Sequence, residues 1–525
     1  MVRFSTTKDV LWIRLGIGPR DFARRESRSV CTFAGGRRRV RYVEFTVSVS
    51  AGNVPAPRQK PCHKPGLRGS YVAANHPPNC KRVVCLFRHN RFFLQKPRSP
   101  MNLRALSAVA AATLFASLLP STSALADDAP AEHWVSAWGT ALQAIPQRAD
   151  LPALYRAPEI GGRTVRQIVY PAIDGRHVRL RFSNVYGTAP LVIEGVQVAR
   201  SVSGGAAAIR AGTSRPVTFA GKAGVTIAPG GQMDSDPIAF DVAAHQPLAV
   251  STYIGAGQKM VAWHRVANQT NYISTPGNHS ADTDAAAFRT RFTQFVWLTS
   301  VSVDAAPARA LVAIGDSITD GMRSTPNANR RWPDALARRL TQKGIEGTAV
   351  VNAGISGNRL LSASPCYGDA LLNRFDRDAL RQPGVRAVIL LIGINDINFP
   401  SMPPHAGLDC DDPHTPVTAD SLLRGYQRLI AQAHQRGVRI YGATLTPASL
   451  PPEREAIRTA VNDSIRSSHA FDGVIDFDQA LRDPAHPDRL QRRYDSGDHI
   501  HPSDAGYAAM SEAVPIDEMG LAKGR

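Results

Sequence analysis

The stretch AVILLIGINDIN, residues 387–398, joins a run of apolar residues to a polar turn. Residues 387–392 lack the alternation of a half-exposed strand, and this predicts a parallel strand buried on both faces. Asn395 and Asp396 would then stand at the carboxyl end of that strand. Because open α/β sheets bind ligands at the carboxyl ends of their strands, the stretch predicts both a fold class and the edge where a site should lie.

Strand and helix patterns alternate through the surrounding residues, 308–520. Strands are predicted from the apolar runs at 310–314, 349–351, 438–445 and 474–477. Helices are predicted from Trp332, over the amphipathic segment 420–436, and after Ser503 through about Ala513. The alternation predicts an α/β fold, a flavodoxin-like, doubly wound and mostly parallel sheet of about five strands.

Residues 133–303 have a different pattern, with short period-2 runs and Gly/Pro turns. Strands are predicted at 177–182, 196–198, 225–227, 248–254 and 292–303. These features favour an all-β, sandwich-like domain, joined to the α/β region by VDAAPARA, residues 303–310. Two roles are open for the aromatic residues of this domain, core packing or a platform on which sugars stack: Trp134, Trp138, Tyr170 and Trp263.

Four motifs fall at ends of the predicted strands. They are AIGDSITDG (313–321), NAGISGNRL (352–360), IGINDIN (392–398) and DHIHPSDAGY (498–507). Each motif alone is common, but their order at successive ends of one sheet is specific. Ser317 lies between a strand and a helix, where helical N–H groups point at developing negative charge.

In this order the motifs resemble those of the GDSL/SGNH hydrolase superfamily, over residues 308–520. The β-rich region resembles that of a secreted subgroup that includes xylan-linked acyl esterases. The resemblance implies Ser317 as nucleophile, Gly357 and Asn395 as oxyanion-hole residues together with the Ser317 amide, and Asp498 and His501 as the remaining members of a catalytic triad.

The chemistry of ester hydrolysis requires the same residue types. A serine hydroxyl needs a neighbouring base, and histidine suits that role near neutral pH. His501 would take the Ser317 proton, and Asp498 would orient the imidazole. His499 does not fit the Asp-x-x-His spacing and is expected to be a loop residue, and Asp316 is expected to anchor the turn before Ser317.

These assignments predict an exported serine esterase that acts on short, acetyl-type acyl esters, possibly on carbohydrate, and that needs no cofactor. A lipase or lysophospholipase is an alternative within the enzymes. A carbohydrate-binding protein with a vestigial hydrolase region is an alternative of another class. The segment HAGLDCDDPH (405–414) could bind a hard metal ion, but we expect a solvated acidic loop and assign no metal site.

Charge and cysteine separate the first hundred residues from the rest. The net charge is +19, yet residues 1–100 contain 21 Lys and Arg against 4 Asp and Glu, and residues 127–525 contain 40 against 39. A nucleic-acid partner is therefore not expected for the part from Asp127 onward. Residues 1–100 show no sustained periodicity, and two interpretations compete for them: a basic arm that binds nucleic acid, or sequence upstream of the true start. We expect an upstream extension without a fold of its own, because an internal export signal makes little sense behind a real domain.

An export signal is predicted behind that extension, at residues 101–126. Arg104 precedes an apolar run at 105–119, and Ala124-Leu125-Ala126 forms a small-residue cleavage site. Met101 is therefore expected to be the true start and the product to be secreted or periplasmic. No transmembrane segment is expected, because the apolar run is shorter than the roughly 20 residues that a spanning helix needs.

Cys366 and Cys410 are the two cysteines beyond this signal. Export favours oxidation, and both residues lie in long segments that follow adjacent central strands. We therefore expect a disulfide between them, near the mouth of the site.

Overall fold

The computed structural model describes residues 133–521 and, before them, only the backbone of four short strands, which form two antiparallel pairs. These are β1 Val2–Ser5, β2 Val10–Ile13, β3 Ser29–Val30 and β4 Glu44–Phe45. None of the four was expected from the sequence. The signal peptide at 101–126 and the remainder of the upstream extension lie outside the described residues and stay predictions.

The β-rich region has two principal antiparallel sheets. Its strands are β5 Trp134–Gly139, β6 Gln143–Ala144, β7 Arg163–Val169, β8 Gly175–Ser183, β9 Leu191–Arg200, β10 Arg215–Val217, β11 Val225–Ile227, β12 Gln232–Asp234, β13 Ile238–Val242, β14 Leu248–Ile254, β15 Ala262–Trp263, β16 Asn271–Pro276, β17 Thr290–Phe292 and β18 Leu298–Asp304. One sheet has the order β10-β9-β14-β7-β16-β17 with β11 beside β9, and the other the order β12-β8-β18-β5 with β13 beside β8. Side chains of both sheets enter one buried cluster, as the alternating pattern predicted.

The α/β region contains a five-stranded parallel sheet of order β20-β19-β21-β22-β23. Its strands are β19 Arg309–Gly315, β20 Thr348–Gly354, β21 Val385–Leu391, β22 Arg439–Ala443 and β23 Val474–Ile475. The apolar run of the opening stretch is central strand β21, and the side chains of residues 387–391 are buried. The flavodoxin-like α/β fold with a preceding β-rich region is thus confirmed.

Helices connect these strands. They are α1 Ser317–Asp320, α2 Trp332–Gln342, α3 Leu371–Phe375, α4 Ile394–Asn398, α5 Ala419–Gln435, α6 Pro452–Ser467, α7 Phe477–Leu481 and α8 Asp504–Ala513, with a π-helical turn at Asp376–Leu380 and 3-10 turns at Ala153–Tyr155 and Phe399–Ser401. Helix α5 begins at a capping box of Thr418 and Ser421, and α8 begins at Ser503, whose side chain accepts a hydrogen bond from the Gly506 amide.

Two strand predictions were wrong in extent. Residues 292–303 form two strands, because Trp297 has a left-handed φ of +56° that interrupts the extended backbone. The strand expected at 474–477 ends at Ile475, since Asp476 caps helix α7 through the Gln479 amide. Helix α6 and the short helices α3 and α4 were not predicted.

The two regions are in direct contact. Residues 133–521 all belong to one compact unit, and the Ser136 amide of β5 donates to the Pro383 carbonyl just before β21. Trp138 and Trp263 are buried, at 8% and 1% exposure, so these two residues pack in the core and do not form a sugar platform. No helix among residues 133–521 is long and apolar enough to cross a membrane.

Candidate active site

Ser317 is the first residue of α1, directly after the carboxyl end of β19. The Asp316 side chain caps this helix by accepting a hydrogen bond from the Ile318 amide at 3.1 Å. Gly315 permits the close approach of β19 to β21, because a Cβ there would lie 2.0 Å from the Leu391 carbonyl oxygen. As expected, Asp316 anchors the turn that presents Ser317.

A hydrogen-bonded relay extends from Ser317. His501 Nε2 lies 2.8 Å from Ser317 Oγ, and His501 Nδ1 lies 2.8 Å from Asp498 Oδ2. The backbone amides of Ile500 and His501 donate to Asp498 Oδ1, and Arg323 Nε donates to Asp498 Oδ2. Burial raises the pKa of Asp498, but the hydrogen bonds from His501 outweigh it and hold that pKa well below its usual range. Asp498 is therefore a carboxylate near neutral pH.

His499 lies outside this relay. Its side chain is 70% exposed, and its Nδ1 lies 2.6 Å from Asp495 Oδ2. A left-handed φ of +66° turns the chain at this residue. The structure thus brings His501, and not His499, to the serine.

The predicted oxyanion-hole residues lie on two neighbouring turns. Gly357 has a φ of +83°, and a Cβ there would lie 2.4 Å from ring atoms of Tyr367. Within residues 133–521, neither the Ser317 nor the Gly357 amide donates a hydrogen bond to another protein group. Asn395 Nδ2 donates to the Asn358 carbonyl at 3.0 Å, which orients the amide and leaves its second hydrogen for a ligand.

Asp396 holds these two turns together. Its carboxyl oxygens accept the Leu360 amide at 2.7 Å and the Leu361 amide at 2.9 Å, so the turn after β20 is attached to α4. Burial raises the pKa of Asp396 to about 6. No role was predicted for Asp396 from the sequence.

Arg374 supports the backbone of the site, and this role was not predicted from the sequence. This fully buried side chain donates to the Gly315 carbonyl at 2.9 Å, the Ala353 carbonyl at 2.9 Å and Asn358 Oδ1 at 3.0 Å. It therefore joins the ends of β19 and β20 to the turn that carries Gly357. A lone arginine among the apolar residues of ALLNRF, 370–375, was the available signal.

A second missed residue, His264, comes from the β-rich region. Its Nε2 lies 2.9 Å from Asp320 Oδ1 at the end of α1 and 3.1 Å from the Val266 carbonyl, and its Nδ1 lies 3.0 Å from the Ala141 carbonyl. Both ring nitrogens of His264 thus face oxygen atoms of the protein. Asp320 Oδ2 in turn accepts from Ser356, whose amide lies at 2.9 Å and whose hydroxyl lies at 2.6 Å. The buried His264–Asp320 pair is thus linked to the residue that precedes Gly357.

Cys366 and Cys410 lie at disulfide distance, with sulfur atoms 1.96 Å and Cα atoms 5.1 Å apart. In the acidic segment, His414 Nε2 lies 2.9 Å from Asp409 Oδ2. Among residues 133–521 there is no group of three or more His, Cys, Asp or Glu side chains arranged to hold a metal ion.

Comparison with known proteins gives a family for the residues that form this site. Residues 313–509 match the model of the GDSL-like Lipase/Acylhydrolase family. Comparison with curated proteins found no match.

Similar solved structures each cover about two fifths of this chain. A variant of an acetyl xylan esterase from Geobacillus stearothermophilus is 22% identical, with 41% of this chain and 97% of the esterase covered and a TM-score of 0.31. A GDSL-like lipase from Bacteroides thetaiotaomicron is 17% identical, with 40% and 88% covered and a TM-score of 0.29. A member of the lipolytic G-D-S-L family from Veillonella parvula is 18% identical, with 39% and 96% covered and a TM-score of 0.28.

The matched residues include Ser317, Gly357 and Asn395, and also Asp498 and His501, which lie in the loop before α8. Residues 313–509 of this chain therefore form a GDSL-like lipase/acylhydrolase domain, the domain of a hydrolase that acts on esters.

Proposed function

We propose that this chain is an exported serine esterase that hydrolyses short acyl esters through an acyl-enzyme. The observation that carries the proposal is the relay from Ser317 Oγ through His501 to Asp498, with both hydrogen bonds at 2.8 Å. A serine, a histidine and a carboxylate in this geometry are the components that activate a hydroxyl for acyl transfer.

In the first half-reaction, Ser317 Oγ attacks the ester carbonyl carbon while its proton moves to His501 Nε2. Asp498 stabilises the imidazolium that forms. Because it accepts a hydrogen bond from Nδ1–H of His501, it also keeps that proton on Nδ1 and leaves Nε2 as the nitrogen that takes the Ser317 proton. His501 then donates the proton to the departing alkoxide, which leaves as an alcohol and gives acyl-Ser317. Water attacks this ester with His501 again as base, and releases the carboxylic acid and free Ser317.

The charge that develops on the carbonyl oxygen needs donors in place beforehand. The unoccupied amides of Ser317 and Gly357 and the free hydrogen of the Asn395 amide are the three donors that we assign to it. Such donors stabilise the transition state more than the substrate, because the full negative charge exists only there.

We assign acetyl to butyryl esters, carried physiologically on carbohydrate. The Tyr367 ring packs directly on Gly357 and limits the room beside the predicted oxyanion hole. Among residues 133–521, the large apolar side chains that are exposed are Leu154, Val202 and Met233, and none belongs to the α/β region. The carbohydrate assignment is supported by the export signal in the sequence and by the family resemblance of the β-rich region.

Labelling with a fluorophosphonate probe tests the nucleophile. Wild-type protein should be labelled once, at Ser317, and Ser317→Ala should not be labelled. An unlabelled wild-type protein that still binds xylan would support the carbohydrate-binding alternative.

A chain-length series of p-nitrophenyl esters tests the acyl preference. We expect the highest kcat/KM between acetate and butyrate, whereas a maximum at eight carbons or longer would support the lipase alternative. Release of acetate from acetylated xylan or pectin tests the carbohydrate assignment.

A further inference from the structure

Arg265 is a buried cation without a counter-ion. It follows His264 in the segment after β15, and the residue is 9% exposed. Its Nε is buried without a partner, and the side chain forms no hydrogen bond or ion pair with any residue in 133–521. By contrast, the buried guanidinium of Arg374 is surrounded by oxygen acceptors. The two terminal nitrogens of Arg265 are not among the buried atoms that lack a partner, so their N–H groups are accessible and available to pair with a ligand.

The position of Arg265 is set from two sides. Its guanidinium carbon lies 5.3 Å from the ring centroid of Tyr155 and 5.8 Å from that of Tyr367. Tyr367 is the residue whose ring covers Gly357. The preceding residue, His264, is held by Asp320 at the end of the nucleophile helix. The cation therefore lies at the rim of the catalytic site, on a segment supplied by the β-rich region.

Neither neighbouring ring neutralises the cation. Burial, and next the nearby Tyr155, raise the pKa of Tyr367 above its usual range, so Tyr367 stays an uncharged phenol. Two aromatic faces beside a guanidinium provide apolar walls for a flat or ring-shaped group, and the planar fork of N–H donors matches a carboxylate.

We propose that Arg265 binds a carboxylate carried by the ester substrate, beside the rings of Tyr155 and Tyr367. This inference rests on the proposed esterase function and narrows it to acidic esters. The carboxylate can belong to the acyl part, as in a hemisuccinate, or to the alcohol part, as in an O-acetylated uronate. Recognition is the same chemistry in both cases, an ion pair with two parallel hydrogen bonds.

The test compares acidic and neutral esters of matched size. For the acyl part, mono-p-nitrophenyl succinate is compared with p-nitrophenyl butyrate. For the alcohol part, an O-acetylated methyl galacturonoside is compared with the corresponding galactoside. We expect the wild-type protein to prefer the acidic member of one pair. Arg265→Gln should lower kcat/KM for that acidic ester at least about tenfold, mainly through KM, because the variant loses the charge-assisted hydrogen bonds to the carboxylate.

For the neutral member of the pair, Arg265→Gln should change kcat/KM by less than about threefold. Arg265→Lys should retain part of the preference for the acidic ester, since lysine keeps the positive charge but lacks the planar set of N–H donors. Arg436→Gln, which removes an exposed arginine of the surface pair with Asp376, is the matched control for net charge. Equal losses on acidic and neutral esters in Arg265→Gln, or no acidic preference in either pair, would overturn the inference.

A separate measurement distinguishes this result from failure of the esterase proposal. Succinate and galacturonate are titrated calorimetrically into the full chain carrying Ser317→Ala. If either acid binds to the Ser317→Ala chain, and if adding Arg265→Gln abolishes this binding, the result supports the carboxylate site even when no ester is hydrolysed. Absence of binding by both acids, together with equal kinetics on both ester pairs, would refute it while leaving the triad intact.

Discussion

His264 Nε2 lies 2.9 Å from Asp320 Oδ1, and both side chains are at most 4% exposed. His264 belongs to the β-rich region, and Asp320 ends the helix that begins with Ser317. Through Asp320, the same pair reaches Ser356 and the turn of Gly357. The β-rich region therefore contributes to the geometry of the catalytic site and is more than an appended domain.

Replacing His264 tests this contribution. We expect His264→Gln to lower kcat by about 10- to 100-fold with little change in KM for p-nitrophenyl acetate, because Asp320 loses the partner that fixes it against Ser356. The free energy of unfolding should also fall, by about 1–3 kcal/mol, since the buried Asp320 carboxyl loses a hydrogen-bond partner. Steady-state kinetics and urea unfolding measure both effects.

His279→Gln is the matched control, because His279 pairs with Asp282 in a partly exposed position. If His264→Gln does not fold, the double variant with Asp320→Asn removes the buried carboxyl group and should recover stability more than kcat. An unchanged kcat in a folded His264 variant would contradict the positioning role.

The two neighbouring histidines should differ sharply in mutagenesis. His501→Ala should lower kcat at least about 10⁴-fold, as loss of a triad base does, and Ser317→Ala should be equally severe. His499→Ala should leave kcat close to that of the wild type, because the exposed His499 ring is paired with Asp495 and lies outside the relay. Equal damage from both histidine variants in the p-nitrophenyl acetate assay would mean that the general base is wrongly assigned.

Asp316 should make stability depend on pH. Burial, with a smaller contribution from Asp396, raises the pKa of Asp316 to about 7, against roughly 3.9 in an unfolded chain. Between these two values the unfolded state releases a proton that the folded state retains. The free energy of unfolding should therefore fall as the pH rises from about 4 to 7, and the contribution of Asp316 is fully present below that range.

Asp316→Asn keeps the oxygen that caps α1 but cannot ionise. Urea unfolding at pH 4.5 and pH 7.5 should show a smaller decrease in this variant than in the wild type. Asp463→Asn, in an exposed pair with Arg466, is the control and should follow the wild-type profile. A variant with the full wild-type decrease would show that Asp316 is not the group responsible.

A disulfide between Cys366 and Cys410 should be found by peptide mapping of unreduced protein. The residues are 44 apart in sequence, so the chain-entropy model gives a stabilisation of about 4 kcal/mol. Reduction, or the double replacement Cys366→Ser/Cys410→Ser, should lower the free energy of unfolding accordingly. Recovery of both cysteines as free thiols from the denatured, unreduced protein would exclude the bond.

Part of the candidate site could be predicted because its information is local. Asp498 and His501 lie on one turn, and their spacing alone allows them to meet. Ser317 and Asn395 directly follow buried strands, and parallel strands bring their carboxyl ends to one edge of the sheet. Strand boundaries were less predictable, because the left-handed Trp297 and the capping Asp476 interrupt apolar runs that look continuous in sequence.

The amino-acid sequence by itself determined the α/β sheet, the order of its strand ends and the residues that can form a relay, because buried periodicity and short motif spacings are properties of neighbouring residues. Only the tertiary structure decided the roles of His264, Arg265 and Arg374. Their partners are far away in the chain: His264 and Asp320 are 56 positions apart, and Arg374 and Gly315 are 59 positions apart. Such a polar side chain can pair with a carboxyl group, support a turn or lack a counter-ion. Which of these it does depends on the distant groups that are buried beside it, and the packing of the folded chain determines which groups those are.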